Sequence, residues 1–96
     1  MALLIGYGEA VGIFDIWQLK RLKERVSFEE VVLFARRRPT EKVIREAQEV
    51  GIEIRTAQDP KGEAKGLAER LRQQGREVKV KALEELADRS IMRDVF

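Results

Sequence analysis

Three glycines, Gly6, Gly8 and Gly12, follow directly on the apolar run Leu3-Leu4-Ile5. A strand that breaks into glycines and then re-forms as a helix is suited to anion binding. Glycine lets backbone N–H groups approach a phosphate closely, and the helix that follows adds the favourable end of its dipole. Tyr7 and Glu9 stand inside this loop. A second cluster, Arg36-Arg37-Arg38, follows another apolar run and offers guanidinium groups for further phosphate contacts.

Catalytic chemistry has fewer candidates. The chain contains no histidine and no cysteine, which removes disulfides, thiolate nucleophiles, the usual zinc sites and imidazole acid–base chemistry. Ser27 and Ser90 therefore lack a histidine to activate them. Asp59, Glu63 and Lys65 loosely match a nuclease Asp…Glu-x-Lys set but crowd one helix start, so Asp59 reads as a helix cap. Glu84, Glu85 and Asp88 read as a solvated helix face. No catalytic residue and no metal ligand is expected.

A length of 96 residues suits one domain spanning 1–96. The chain is 44% hydrophobic and 38% charged, with its apolar residues in short periodic groups. No segment approaches the roughly 20 apolar residues of a membrane span. The start, Met1-Ala2-Leu3-Leu4-Ile5-Gly6, reads as a strand and not as a signal peptide, so the expected location is cytoplasmic. Nineteen Lys+Arg against 17 Asp+Glu give a formal charge of only +2, so attraction to nucleic acid would need a local cluster. Dense Glu, Lys and Arg usage without cysteine fits a thermophilic source.

The elements that must position these residues follow from periodicity. Leu3 to Ile5 is apolar at every position, as suits a central strand covered on both faces. Ile16, Leu19, Leu22 and Val26 recur at helical spacing, with Asp15 at or just inside the helix start and Trp17 packing, partly buried, on the flank. Ser27 and Phe28 read as a connection into a second central strand over Glu30–Ala35, which Pro39 closes. Val43, Ile44, Ala47 and Val50 define the next helix, with Glu41 in its first turn and Gly51 as its stop.

Ile52-Glu53-Ile54-Arg55-Thr56 alternates like an edge strand. Asp59-Pro60 opens a helix carrying Leu67, Ala68 and Leu71, which ends at Gly75. Gly62 and Gly66 inside it predict a first turn that frays or presses on a neighbour. Val78-Lys79-Val80-Lys81 alternates as a second edge with protective lysines. Leu83, Leu86, Ala87 and Ile91 predict a closing helix running towards Val95-Phe96.

The pattern βαβαβαβα implies a small three-layer αβα domain with a four-stranded parallel sheet and right-handed crossovers. Placing the continuous apolar strands inside and the alternating ones outside gives the order 3-2-1-4. The alternative, 2-1-3-4, leaves the second apolar strand at an edge. In the first order the winding reverses between strands one and four, so the ligand crevice would be floored by Gly6–Gly12 and flanked by Ala82-Leu83.

Gly6-Tyr7-Gly8-Glu9-Ala10-Val11-Gly12 is similar to the glycine-rich fingerprint of NAD(P)-binding Rossmann domains, and the chain resembles their N-terminal half over most of its length. Arg36-Arg37-Arg38 stands where NADP-preferring members often carry arginine for the 2′-phosphate, and Val43 through Gln58 looks like the family's next unit. The third glycine falls one residue late, with Val11 in its usual place, and Glu9 brings negative charge to the loop. The half that normally receives the nicotinamide and the catalytic residues has no counterpart here.

The resemblance implies a non-catalytic or regulatory module binding a nucleotide, NADP among them, or another phosphorylated ligand through Gly6, Tyr7, Gly8, Glu9, Gly12 and Arg36, Arg37, Arg38. An oligonucleotide sensor resembling the CARF domains of CRISPR systems is a variant of it. Two other classes stand beside it. One is a structural or protein-interaction module that homodimerises without a small ligand, using open sheet edges and the apolar Ile91-Met92…Val95-Phe96. The other is nucleic-acid or oligonucleotide binding through Arg36–Arg38.

Overall fold

A computed structural model describes residues 2–85. Its elements run β1 (Ala2–Gly8), α1 (Ile13–Arg25), β2 (Phe28–Ala35), α2 (Glu41–Glu49), β3 (Ile52–Thr56), α3 (Pro60–Gln73) and β4 (Val78–Ala82). The four strands form one parallel sheet in the order β3-β2-β1-β4. The continuous apolar strands are therefore central and the alternating ones are edges, as their side-chain patterns require.

Two cores explain why β1 and β2 are apolar at successive positions. Leu4, Val31, Leu33 and Ala35 face Ile16 and Leu19 of α1 and Val43 and Ala47 of α2. Leu3, Ile5, Val32 and Phe34 face the opposite layer, where Ala64 and Ala68 of α3 pack. Right-handed crossovers put α1 and α2 on one face while the chain winds from β1 to β3, and the return to β4 sends α3 to the other.

Each of α1, α2 and α3 starts on a local hydrogen-bond device. The Gly12 N–H donates to Asp15 Oδ2 at 2.8 Å, so Asp15 lies inside α1 and folds back on its start. Thr40 Oγ1 accepts from the Val43 N–H, and Asp59 Oδ1 accepts from the Gly62 N–H ahead of Pro60. Asp59 is thus the cap that its place before proline predicts. Gly51 follows α2 at φ +77°, the left-handed conformation that glycine adopts without strain. Lys23 Nζ donates to the Val50 carbonyl, tying α1 to the end of α2.

Two local expectations are corrected. Phe28 is the first residue of β2 and is buried, not part of a connection. Trp17 is about half exposed and stands edge-on to the still more exposed Phe14. Positions 14 and 17 fall opposite the Ile16–Leu19 stripe on a 3.6-residue period, so they point away from the sheet. The closing helix lies largely outside the described residues: residues 83–85 are helical, and Leu86, Ala87, Ile91, Val95 and Phe96 fall beyond them, as does Ser90.

The glycines of α3 have different surroundings. A Cβ on Gly62 would collide with the Asp59 carboxylate, whereas one on Gly66 would meet nothing within 4 Å. Gly66→Ala is therefore expected to stabilise the domain by about 1 kcal/mol. Gly62→Ala should give no such gain, because it displaces the cap. Calorimetric melting of the two variants checks this contrast.

Candidate functional site

β1 and β4 pair as far as Tyr7 and Ala82, and the winding reverses between these two strands. The crevice at their carboxyl ends measures about 500 Å³ and is lined by Tyr7, Gly8 and Ala82 at the strand ends, Ala10 from the first loop, Asp15 from α1, and Leu83 and Glu84 beyond β4. This is where the strand order places it. Glu9 also lines it, so the crevice wall carries the carboxylates of Glu9, Asp15 and Glu84. Among the described residues no group of His, Cys, Asp or Glu could hold a metal ion, and no polar or charged side chain is buried.

The arginine cluster reaches the same edge because the loops after β1 and β2 are joined through their backbones. The Arg36 N–H donates to the Gly8 carbonyl at 3.2 Å, and the Arg37 N–H donates to the Glu9 carbonyl at 3.0 Å. Their side chains then flank one carboxylate: Arg36 Nη1 stands 3.8 Å from Glu9 Oε2, and Arg37 Nε stands 3.7 Å from Glu9 Oε1. All three side chains are exposed. Ion pairs of this length in water contribute little, on the order of 0–1 kcal/mol. Glu9 therefore stands near two cations without locking them. Arg38 is exposed on the same loop.

The glycines divide by role. A Cβ on Gly6 would lie 2.6 Å from Leu33 Cδ2, and one on Gly8 would lie 2.9 Å from Leu83 Cδ1. Both positions make room for buried leucines. Gly12 is the extended N-cap of α1, and its N–H is turned to Asp15. The surface open to an approaching anion is thus the outer rim of the loop, where Glu9 meets Arg36 and Arg37.

Glu84 escaped sequence reasoning, since a helix-period charge run reads as solvated whether or not its first member borders a crevice. Asp15 was legible as a helix-start residue but not as part of the crevice wall. Ser27, Asp59, Glu63 and Lys65 do not line this crevice, and Asp59 is engaged as the cap of α3; Ser90 lies outside the described residues.

No protein-family model, curated protein or solved structure matches this chain.

If Gly6 is small to admit Leu33, adding its methyl should destabilise the domain by about 1–3 kcal/mol, the usual range for overpacking. Gly6→Ala is expected to lower the urea midpoint at unchanged slope. Made in a Leu33→Ala background, the same change should cost markedly less. Strict additivity in this double-mutant cycle would mean that the contact is not what requires glycine.

Proposed function

We propose that the domain is a non-catalytic module that binds a phosphorylated ligand, a nucleotide among them, at the carboxyl edge of β1 and β2. The observation that supports this reading is the convergence of Arg36 and Arg37 on Glu9 at the rim of the glycine loop. An incoming phosphate competes with a single exposed carboxylate and offers the guanidinium groups more acceptor oxygens and more charge. Displacing Glu9 costs little, because the pairs it makes are loose and hydrated.

The adjoining crevice gives the ligand a polarity. Asp15 and Glu84 line it, and carboxylates accept hydrogen bonds from hydroxyl or amino groups while repelling phosphate. A ligand with phosphate at one end and ribose-like hydroxyls at the other fits the two halves of the edge in one orientation. Inorganic phosphate alone would use only the arginine half.

Thermal shift of the purified protein against NADP, NAD, ATP, cyclic oligoadenylates and inorganic phosphate, at two salt concentrations, tests this. A ligand at 100 times its dissociation constant adds about 2.7 kcal/mol, which raises the melting temperature by several degrees in a domain of this size. Arg36→Ala is expected to weaken binding about tenfold, equivalent to roughly 1.4 kcal/mol. Glu9→Gln is expected to strengthen it by removing the competing carboxylate. No shift with any of these ligands, or binding indifferent to both substitutions, overturns the reading. Binding of an oligonucleotide that falls steeply with salt would instead favour nucleic-acid recognition by the arginine cluster.

A further inference from the structure

The two edges of the sheet are built differently. β4 carries Lys79 and Lys81, a common way of keeping an edge from pairing. Among the described residues β3 is the opposite edge, bordering β2 alone, in an unbroken register from Ile52 to Thr56. It contains no proline and no lysine, and its two charges are opposite.

The backbone of β3 presents a defined set of hydrogen-bonding groups. The Ala57 N–H donates to the Ala35 carbonyl of β2 at 2.9 Å. In an extended chain the N–H and C=O of one residue point the same way, and successive residues alternate. Arg55 and Glu53 therefore turn their backbone groups to β2. Ile52, Ile54 and Thr56 turn theirs to the open side.

The side chains of this edge are self-complementary in only one antiparallel register. Glu53 and Arg55 share a face, with Arg55 Nη2 2.8 Å from Glu53 Oε2 and the Arg55 guanidinium over the Phe34 ring. Ile52 and Ile54 point to the other face, Ile52 buried in the α1/α2 core and Ile54 packed partly exposed against it. A two-fold axis at Glu53 would set glutamate against glutamate, and one at Arg55 would set arginine against arginine. An axis at Ile54 sets each Glu53 opposite the partner subunit's Arg55. It also makes Ile54 with the partner's Ile54, and Ile52 with the partner's Thr56, hydrogen-bonded pairs that use the outward backbone groups. Glu53 and Arg55 then fall at non-hydrogen-bonded positions, where facing side chains approach most closely.

A groove of about 290 Å³ runs beside the strand, lined by Ile44 and Ala47 of α2 with Ile52 and Ile54. Pairing in the Ile54-centred register brings the partner subunit's Ile54 to its mouth.

We propose that β3 is a homodimer edge: a second copy of this chain pairs antiparallel along Ile52–Thr56 about a two-fold axis at Ile54, joining two four-stranded sheets into one. The interface lies away from the β1–β4 crevice, so the two candidate ligand sites stay open and face opposite ends of the joined sheet. This inference is independent of the ligand reading above.

Sedimentation equilibrium of the full chain over a range of micromolar concentrations reads the association directly. The wild type is expected to dimerise. Arg55→Glu turns two attractive cross-strand pairs into two repulsive ones and should raise the dimer dissociation constant about tenfold or more. The double swap Glu53→Arg with Arg55→Glu restores opposite charges in the same register and should recover the wild-type constant within about threefold.

Ile54→Pro removes an outward N–H that β2 does not use, so it should abolish the dimer while the circular dichroism and melting curve still report a folded domain. A wild type that stays monomeric throughout, a dimer indifferent to Ile54→Pro, or a double swap that fails to recover association would each overturn the proposal.

Discussion

The burial of β1 and β2 on both faces is the constraint on which the structure depends. Leu4 points into one core while Leu3 and Ile5 point into the other, and Val32 and Phe34 alternate with Val31 and Leu33 in the same way. Strands of that kind cannot border solvent, so helices must cover both sides and other strands must flank them. Among the described residues, α1 and α2 on one face and α3 on the other satisfy this, with the right-handed connections usual for parallel strands. The reversal of winding between β1 and β4, and hence the crevice, follows from that packing and needs no separate cause.

Because the edge of the sheet is set by packing, its chemistry is set by which residues leave the strands there. β1 ends in a loop carrying Glu9, and β2 ends in Arg36 and Arg37. Two backbone hydrogen bonds hold those loops side by side. The outcome is an edge with its cations on the β2 side and its carboxylates towards β4. On the proposed ligand reading, such a division would suit a ligand with unlike ends better than a symmetrical anion.

Strand order was legible because it depends on coarse quantities. Continuous apolar runs against alternating ones, and the spacing of helices between them, distinguish central from edge strands whatever the details of side-chain packing. The caps at Asp59 and Thr40 are local, each accepting from an N–H three residues on, and Asp59 was legible because Pro60 follows it at the first helical position. Phe28 was missed as a strand residue because the charged pair Glu29-Glu30 interrupts the run behind it, and only the pairing with β1 shows that the strand begins earlier. Trp17 was placed on the wrong part of its helix by assuming that a large aromatic is covered. The positions of Ile16 and Leu19 already put it, with Phe14, on the opposite side. The meeting of Glu9 with Arg36 and Arg37 depends on two loops far apart in sequence, so its parts were visible but its pairing was not.

The glycine loop separates what a motif says from what its atoms do. In sequence, Gly6, Gly8 and Gly12 form one pattern, and a single cause, backbone access for a phosphate, would account for all three. In the fold, the Cβ positions of Gly6 and Gly8 are pressed by Leu33 and Leu83, and the Gly12 N–H is directed to Asp15. Gly6 and Gly8 thus each have a local reason that would hold without a ligand, whereas Gly12 is extended and a Cβ there would meet only Asp15 at 3.7 Å. The arginines are the reverse case: their guanidiniums stay exposed and only loosely paired, and folding does not require three successive cations at a strand end. Where packing explains Gly6 and Gly8 and leaves the arginines unexplained, the weight of a functional reading belongs on the arginines.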